Sequence, residues 1–515
     1  MINLKRPKGI FYGVLAVLII LSPFKAAATT YYVSNAGSDS NSGRDTSHTW
    51  AHIPGGTGCA NNCASVTLAS GDIVSLNKGD TWSSTTVTIK ASGTSSSPIT
   101  FNSYGVGAKP IISSVATSPV ITWGSERNYI TIDALDLRAP RDSGQGIWAI
   151  YIAYFPDGDY GQSIGWTVKN CDINAGILLT GPNTLVQNNT LNGGGLDMGG
   201  QGAITLRGSH ATSGVIEGNT VHDFKGKGID VCRGASNINI RNNLVYNIST
   251  GTDGWGYGIN ADGNDVSVSG IQIYNNITYN MTGTISMGIL LETAFTSSVY
   301  NNLIHDIEQS CGIGSNVNVG HLGQTQSGSI HHNVIYNVLN GICFWQGVSW
   351  GIYNNTMYAS AGTTGLSFWD NSTNTSAITF TNNIIGGVWA NPIYVPDNKA
   401  IWTQLDYNDI VSTGTTVLYQ AIGGAKTLAN LQALGLMTHG ITSSPLLTNG
   451  SGSYSLAGDF TLQSNSPCIY SGVNVGLTAD YVGKALHNPP SMGAYEYIEE
   501  TVPTAPRSLR IVAQY

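Results

Sequence analysis

Between Leu185 and Ile385 the chain alternates apolar and polar positions in short runs, and each run is punctuated by asparagine. The phrases LVQNNTL, VIEGNTV, NIRNNLV, QIYNNIT, SVYNNLI, SIHHNVI, GIYNNTM and TFTNNII each carry one or two Asn between flanking apolar residues. The last Asn of each falls at 189, 219, 243, 276, 302, 333, 355 and 383, so the spacing varies between 22 and 33 residues. A repeat of that length marks a solenoid, in which each repeat is one turn stacked on the next. A second element recurs between the phrases, a Gly followed by a short alternating strand: GIDVCR, GINAD, GILLET, GIGSN, GICFW, GLSFW. Alternation over so few residues predicts strands rather than helices.

The two elements together predict an all-β protein, a right-handed parallel β-helix with one repeat per coil. Like residues on successive coils then lie about 4.8 Å apart. An Asn at a fixed buried position can donate to one neighbour in the stack and accept from the other, so a polar ladder inside the solenoid is fully satisfied. Neighbouring residues in a strand face opposite sides. With Ile204, Ile229, Ile259, Ile289, Ile313, Ile342 and Leu366 turned inward, two outward columns follow. One reads Thr205, Asp230, Asn260, Leu290, Gly314, Cys343, Ser367; the other reads Arg207, Cys232, Asp262, Glu292, Asn316, Trp345, Trp369. His222 and His305 occupy the slot that Tyr246, Tyr279 and Tyr336 fill in other repeats, which makes them structural.

Composition changes this picture in three places. The net charge of −8 provides no basic footprint for nucleic acid. Lys5, Arg6 and Lys8 precede an apolar run from Ile10 to Leu21, and Ala26 and Ala28 make a small-x-small site. These are the parts of an export signal over residues 1–28, with a retained anchor as the alternative reading. The rest then divides into a β-helix over 29–395, a closing segment over 396–498 that caps the open end, and a loose tail over 499–515. No further membrane span follows the signal, so the mature chain is expected as a monomer, secreted, periplasmic or at the cell surface. Of the seven Cys, Cys59 and Cys63 share a Gly/Asn loop suited to a small disulfide, or less well to zinc, and Cys171 takes a ladder position as a small buried residue. TLANLQALGL is the one stretch that reads as helix.

Tyr31–Val33, the Gly-Ser-Asp-x-Asn-x-Gly loop at Gly37–Gly43, the Gly-Asp-x-Trp turn at Gly79–Trp82 and the closing segment DFTLQSNSPCIYSG…MGAYEY form a recognisable set. In these features the chain resembles secreted right-handed β-helix proteins of the pectate-lyase-like superfamily, with Tyr470 where an Asp is usual. The resemblance implies the fold. It leaves the reaction open, because lyases, hydrolases, epimerases and adhesins share it.

Candidate chemistry sits on the outward columns. Asp230, Asp262 and Glu292 lie on consecutive coils, with Asn260 and Asn316 beside them. Arg207, Lys225, Lys227, Arg233 and Arg241 cluster in the same coils, after which no Lys or Arg occurs before Lys399. Asp262 and Glu292 would be about 5 Å apart by backbone, Asp230 and Asp262 roughly 8 Å. Either glycosidase geometry is open, the retaining one at about 5–5.5 Å between carboxyls or the inverting one at about 6.5–9.5 Å. Adjacent carboxylates raise one pKa or recruit a cation, here Ca²⁺ on Asp262 and Glu292. A uronate lyase needs a neutralising cation or Arg and a Lys or Arg base, roles open to Lys227 and Arg233. Arg207, Asn260, Asn316, Trp345 and Trp369 would bind the sugar, the two indoles as platforms. The bland alternatives are a solvated acidic face and indoles covered by a loop. The functional expectation is a polysaccharide lyase, with a glycoside hydrolase on the same acids or a non-catalytic glycan-binding surface protein as alternatives.

Overall fold

The computed structural model describes residues 28–499, apart from short internal segments at 142–146, 154–161, 264–265, 317–325, 346–347, 370–376, 396–400, 412, 421–422 and 450–456. The leader and the tail therefore lie outside the described residues.

The chain winds as a parallel β-helix. One sheet is built of fourteen strands, from Thr30–Val33 to Trp402–Asp406, each paired in parallel with the equivalent strand one coil on. The remaining faces carry the strands that follow each Asn, several of which run unbroken around a bend, as in Thr220–Cys232 and Leu303–Asn316. The isoleucine column stacks in the register expected from the alternation: Ile204, Ile229, Ile259, Ile289, Ile313, Ile342 and Leu366 pair coil to coil, and all are buried.

The asparagine ladder is continuous. From Asn189 to Asn383 each Nδ2 donates to the Oδ1 of the next Asn at 2.9–3.1 Å. Each Nδ2 also donates to a backbone carbonyl one coil back, as Asn302 does to Ile273 at 2.9 Å. The ladder begins at the Cys171 backbone amide, which donates to Asn189, and runs one step past the last recognised phrase, to Asn408. Asn408 lies in LDYNDIV, where Asp406 and Tyr407 stand before the Asn, so coil winding continues beyond 395. The residue before each ladder Asn takes positive φ, as at Asn188, Asn242, Asn275 and Asn301. Asn tolerates the left-handed region better than other non-glycine residues, which explains the frequent doublet.

The recurring Gly has a different cause. A Cβ on Gly258 would stand 2.6 Å from the carbonyl oxygen of Gly288, and one on Gly288 would stand 2.7 Å from that of Gly312. The coils are too close at this corner for any side chain. On another face His222, Tyr246, Tyr279, His305 and Tyr336 stack ring on ring at 4.7–5.0 Å, so both histidines are structural.

NGGGLDMGGQG, as rich in glycine as a loop, lies inside the strand Thr190–Arg207, with its extra residues taken up as bulges against Thr220–Cys232. Within the closing segment the end of the solenoid is met by the helix Leu428–Ala433, capped by Thr427, with Leu431 and Met437 joining the main core. The segment after it packs back along the flank, where Phe460, Cys468, Met492 and Tyr495 cover Leu303, Val334, Tyr336 and Ile384. Its polar anchors are Asn354 to the Ser491 carbonyl and Asn382 to the Val473 carbonyl. The short helix Asn61–Ser65 was not foreseen; it carries Cys63 of the Cys59–Cys63 disulfide.

Candidate active site

The strand register places Cys232, Asp262, Glu292 and Asn316 side by side on successive coils, and Asp230 beside Asn260. Backbone bonds from Trp345 to Ser315 and from Trp369 to Phe344 extend the first row to the two indoles.

A third column, two residues before the inward isoleucines, completes the arrangement: Gly202, Lys227, Tyr257, Met287, Cys311, Asn340, Thr364. In a straight strand residues i and i+3 point to opposite faces. Here they touch. Lys227 Nζ lies 3.5 Å from Asp230 Oδ1, and Gly202 N donates to Thr205 Oγ1 at 3.1 Å. The chain therefore turns a corner at the glycine column and folds the third column over the Asp230–Asn260 column. Three coils beyond Asp230 the same corner is bridged by the Cys311–Cys343 disulfide, from the Ile313 coil to the Ile342 coil, a pairing the sequence did not suggest.

This geometry corrects the expectation that both outward columns face solvent. Thr205, Asp230, Asn260, Leu290, Cys343 and Ser367 are all buried, because alternation reports the side of the sheet and not what lies over it. Asp230 and Asn260 cannot touch a substrate; Asn260 Nδ2 donates to Asp230 Oδ1 at 3.1 Å. Lys227, also expected at the surface, is only 4% exposed. Its Nζ donates to Asp262 Oδ2 at 2.9 Å. Burial works against that ammonium, but the charges of Asp230 and Asp262 outweigh it and hold its pKa above the ordinary lysine value.

Asp262, Glu292 and Asn316 are part-buried at the mouth of the corner. Burial, reinforced by the charge of Asp262 and opposed by that of Lys227, pushes Glu292 up to about 7; the Asn316 side chain hydrogen-bonds to it. Tyr257 is buried beside them, its phenol raised by burial and then by Glu292, Asp253 and Asp262. Asp253 and Trp255 come from the turn before it; burial raises Asp253, and Trp255 is 41% exposed. Tyr257, Asp253 and Trp255 were not picked out from the sequence. Counting two positions back from Ile259 reaches Tyr257. Of the cations, Arg207 is half-buried with Nη1 donating to Gln201 Oε1 at 2.7 Å, and Arg233 is exposed on a positive-φ turn whose backbone amide donates to the Asp262 carbonyl.

Trp345 is half-buried, resting on the cluster of Tyr257, Met287 and Leu290 and lying across Gly314. Trp369 is 45% exposed. Among the described residues no three His, Cys, Asp or Glu side chains converge on one metal position. Ca²⁺ suits the Asp262–Glu292 donors poorly, because the Lys227 ammonium already stands against Asp262 and would repel a divalent cation. Two surface concavities lie elsewhere, one of about 460 Å³ beside Arg138 and Asp172 and one of about 430 Å³ beside Asp306 and Glu308.

Residues 157–357 match the family described as right handed beta helix region. No curated protein matches the chain. Among solved structures the chain is similar to XylC in complex with xylose, at 12% identity and a TM-score of 0.52, over 92% of this chain and 99% of that one. It is also similar to pectate lyase Pel9A (14% identity, TM-score 0.38, 92% and 97% covered) and to a GH136 lacto-N-biosidase from Eubacterium ramulus (13%, 0.36, 78% and 66%). At these identities the likeness is one of fold. The fold of the chain is a right-handed parallel β-helix, seen both in the matched residues and in the strand register.

Proposed function

We propose that the protein is an exported glycoside hydrolase acting on a polysaccharide, with Glu292 as general acid and base and Asp262 as nucleophile. The carrying observation is that these two residues pair in register on adjacent strands at the mouth of the corner, in opposite electrostatic settings. Asp262 accepts from a buried ammonium, whereas Glu292 is pushed up by burial and by Asp262 itself. Two carboxyls held apart in this way take the acid and base roles. Strands about 4.8 Å apart suit the retaining reaction, whose carboxyls stand about 5–5.5 Å apart.

In the first step Asp262 attacks the anomeric carbon while the Glu292 proton passes to the departing glycosidic oxygen. A glycosyl ester forms on Asp262 and the C–O bond breaks. In the second step Glu292 takes a proton from water, the water oxygen attacks the anomeric carbon, and the carboxylate of Asp262 leaves. Lys227 holds the Asp262 charge; Asp230 and Asn260 position Lys227. Asn316 orients Glu292, and Arg207, Arg233, Trp345 and Trp369 line the approach to the pair.

A polysaccharide lyase, the first expectation from the sequence, needs a basic residue able to take a proton. Lys227 is held protonated between two carboxylates, which leaves it unsuited to that role. Two disulfides, Cys59–Cys63 and Cys311–Cys343, support export to an oxidising compartment. Among the described residues no helix is long and apolar enough to cross a membrane. The test is incubation with a panel of polysaccharides, with and without EDTA, following reducing ends and ultraviolet absorbance together. Reducing ends without new absorbance are expected, insensitive to EDTA. Unsaturated ends would mean a lyase, and binding without cleavage a glycan-binding protein.

A further inference from the structure

The row that carries Asp262 and Glu292 does not end with them. Beyond Glu292 it passes Asn316 to Trp345 and Trp369, two and three coils on, or about 10 and 14 Å. The neighbouring row, covered as far as Ser367, becomes part-exposed where this one stops. Ser367, Tyr394 and Tyr419 pair coil to coil, so two tyrosines follow the indoles toward the end of the solenoid.

These rings form one run. The Trp369 ring lies 5.6 Å from Tyr394, and Tyr394 lies 6.1 Å from Tyr419 with the two planes only 10° apart. Trp369 is fixed as well as exposed, since its Nε1 donates to Ser367 Oγ at 3.0 Å. An exposed indole tethered by its polar edge presents an apolar face in one orientation, at little further entropic cost on binding.

Charge narrows the occupant. No Lys or Arg occurs between Arg241 and Lys399, and the described residues of both rows beyond Glu292 include no carboxylate. Between Glu292 and Tyr394 a polyanion laid along this run would find no Lys or Arg; among the described residues a lysine, Lys426, comes in only at the far end, on the strand paired with Leu418. An uncharged sugar ring offers its C–H face to an aromatic ring and keeps its hydroxyls in water. The cations of the site, Arg207 and Arg233, stand on the opposite side of the acid pair.

We infer that Trp345, Trp369, Tyr394 and Tyr419 form an extended binding strip, on one side of Asp262 and Glu292 only, for an uncharged glycan chain running parallel to the solenoid axis. The inference rests on the hydrolase reading for the location of the cleaved bond and adds the substrate class and the direction of the chain. From Glu292 to Tyr419 the strip spans five coils, about 24 Å, long enough for an oligosaccharide of several units.

Binding is measured on the full chain carrying Glu292→Gln, by indole fluorescence and by affinity electrophoresis. The probes are xylo- and cello-oligosaccharides of increasing length, with oligogalacturonates and oligomannuronates as the charged set. Neutral oligomers are expected to bind more tightly as they lengthen. Trp369→Ala, and separately Tyr394→Ala, should weaken the longest ones about five- to tenfold and flatten the length dependence. Circular dichroism confirms that each variant is folded. Uronate oligomers binding more tightly than neutral ones, no binding by either set, or affinity indifferent to both substitutions would each overturn the strip. Cleavage is scored separately on the unsubstituted protein. Length-dependent binding through these rings with no release of reducing ends would remove the hydrolase and leave the strip standing. Hydrolysis with unchanged affinity in both variants would do the reverse.

Discussion

Glu292 and Asp409 are both carboxyl groups that burial pushes up to about 7, and the two have different consequences. On the proposed mechanism the proton retained at Glu292 is the one given to the leaving oxygen, so activity should fall as pH rises through about 7. Glu292→Gln should lower turnover by about 10²–10⁴-fold with folding intact; a variant with full activity would remove the proposed acid. Asp409 lies away from any chemistry, with Cys468 Sγ donating to its Oδ2 at 3.1 Å where the closing segment meets the last coil. The folded chain binds this proton more tightly than the unfolded chain does. The resulting stability is complete below the usual Asp range, near pH 4, and is lost as pH rises to about 7. Melting temperatures across that window should decline in the natural chain and decline less in Asp409→Asn, which keeps an acceptor for the thiol. The ladder makes a third prediction at this scale. Asn302→Ala should cost roughly 1–3 kcal/mol in denaturant unfolding, for the partners at Ile273 and Asn333 left unmatched.

At the scale of the strand, what was legible and what was not divide along one physical line. The isoleucine column and the asparagine phrase could be read because alternation and a fixed buried polar site both leave a periodic trace. The row of Asp262, Glu292, Asn316, Trp345 and Trp369 followed from it by counting. That Asp230 and Asn260 are covered could not be read, since the cover comes from a corner turned at Gly228 and Gly258, and a corner has no period. Tyr257 and the Cys311–Cys343 bridge were missed for the same reason, as both lie on the folded-over column. Tyr394 and Tyr419 were missed because they follow the last strong repeat. The bridge gives this scale its prediction. Its two ends are 32 residues apart, so opening it releases a loop worth about 3–4 kcal/mol in the chain-entropy account. Cys311→Ala with Cys343→Ala should lower the melting temperature measurably, and an unchanged value would show that the corner closes without it.

For the molecule as a whole, each coil touches little beyond the coils before and after it, so stability is close to a sum of neighbour terms. Its vulnerable places are then the ends. A chain stopped after Ile410 would lose the helix Leu428–Ala433, Met437 and the whole flank segment, and would expose the strand edge of its last coil. Such a protein should associate edge to edge, visible as a concentration-dependent increase in mass by light scattering. A monodisperse monomer would show that the end needs no cover.

The single asparagine that pins each coil from Asn189 to Asn408 also makes this part of the molecule a ruler with interchangeable divisions. Excising the stretch from one ladder residue to the next would rejoin the chain in step and shift everything beyond it by one rung, about 4.8 Å. The distance between Glu292 and the far aromatic rings is thus adjustable in whole rungs. On the proposed function, relatives that differ by a coil in this region would hold chains of correspondingly different length without any change at the acid pair.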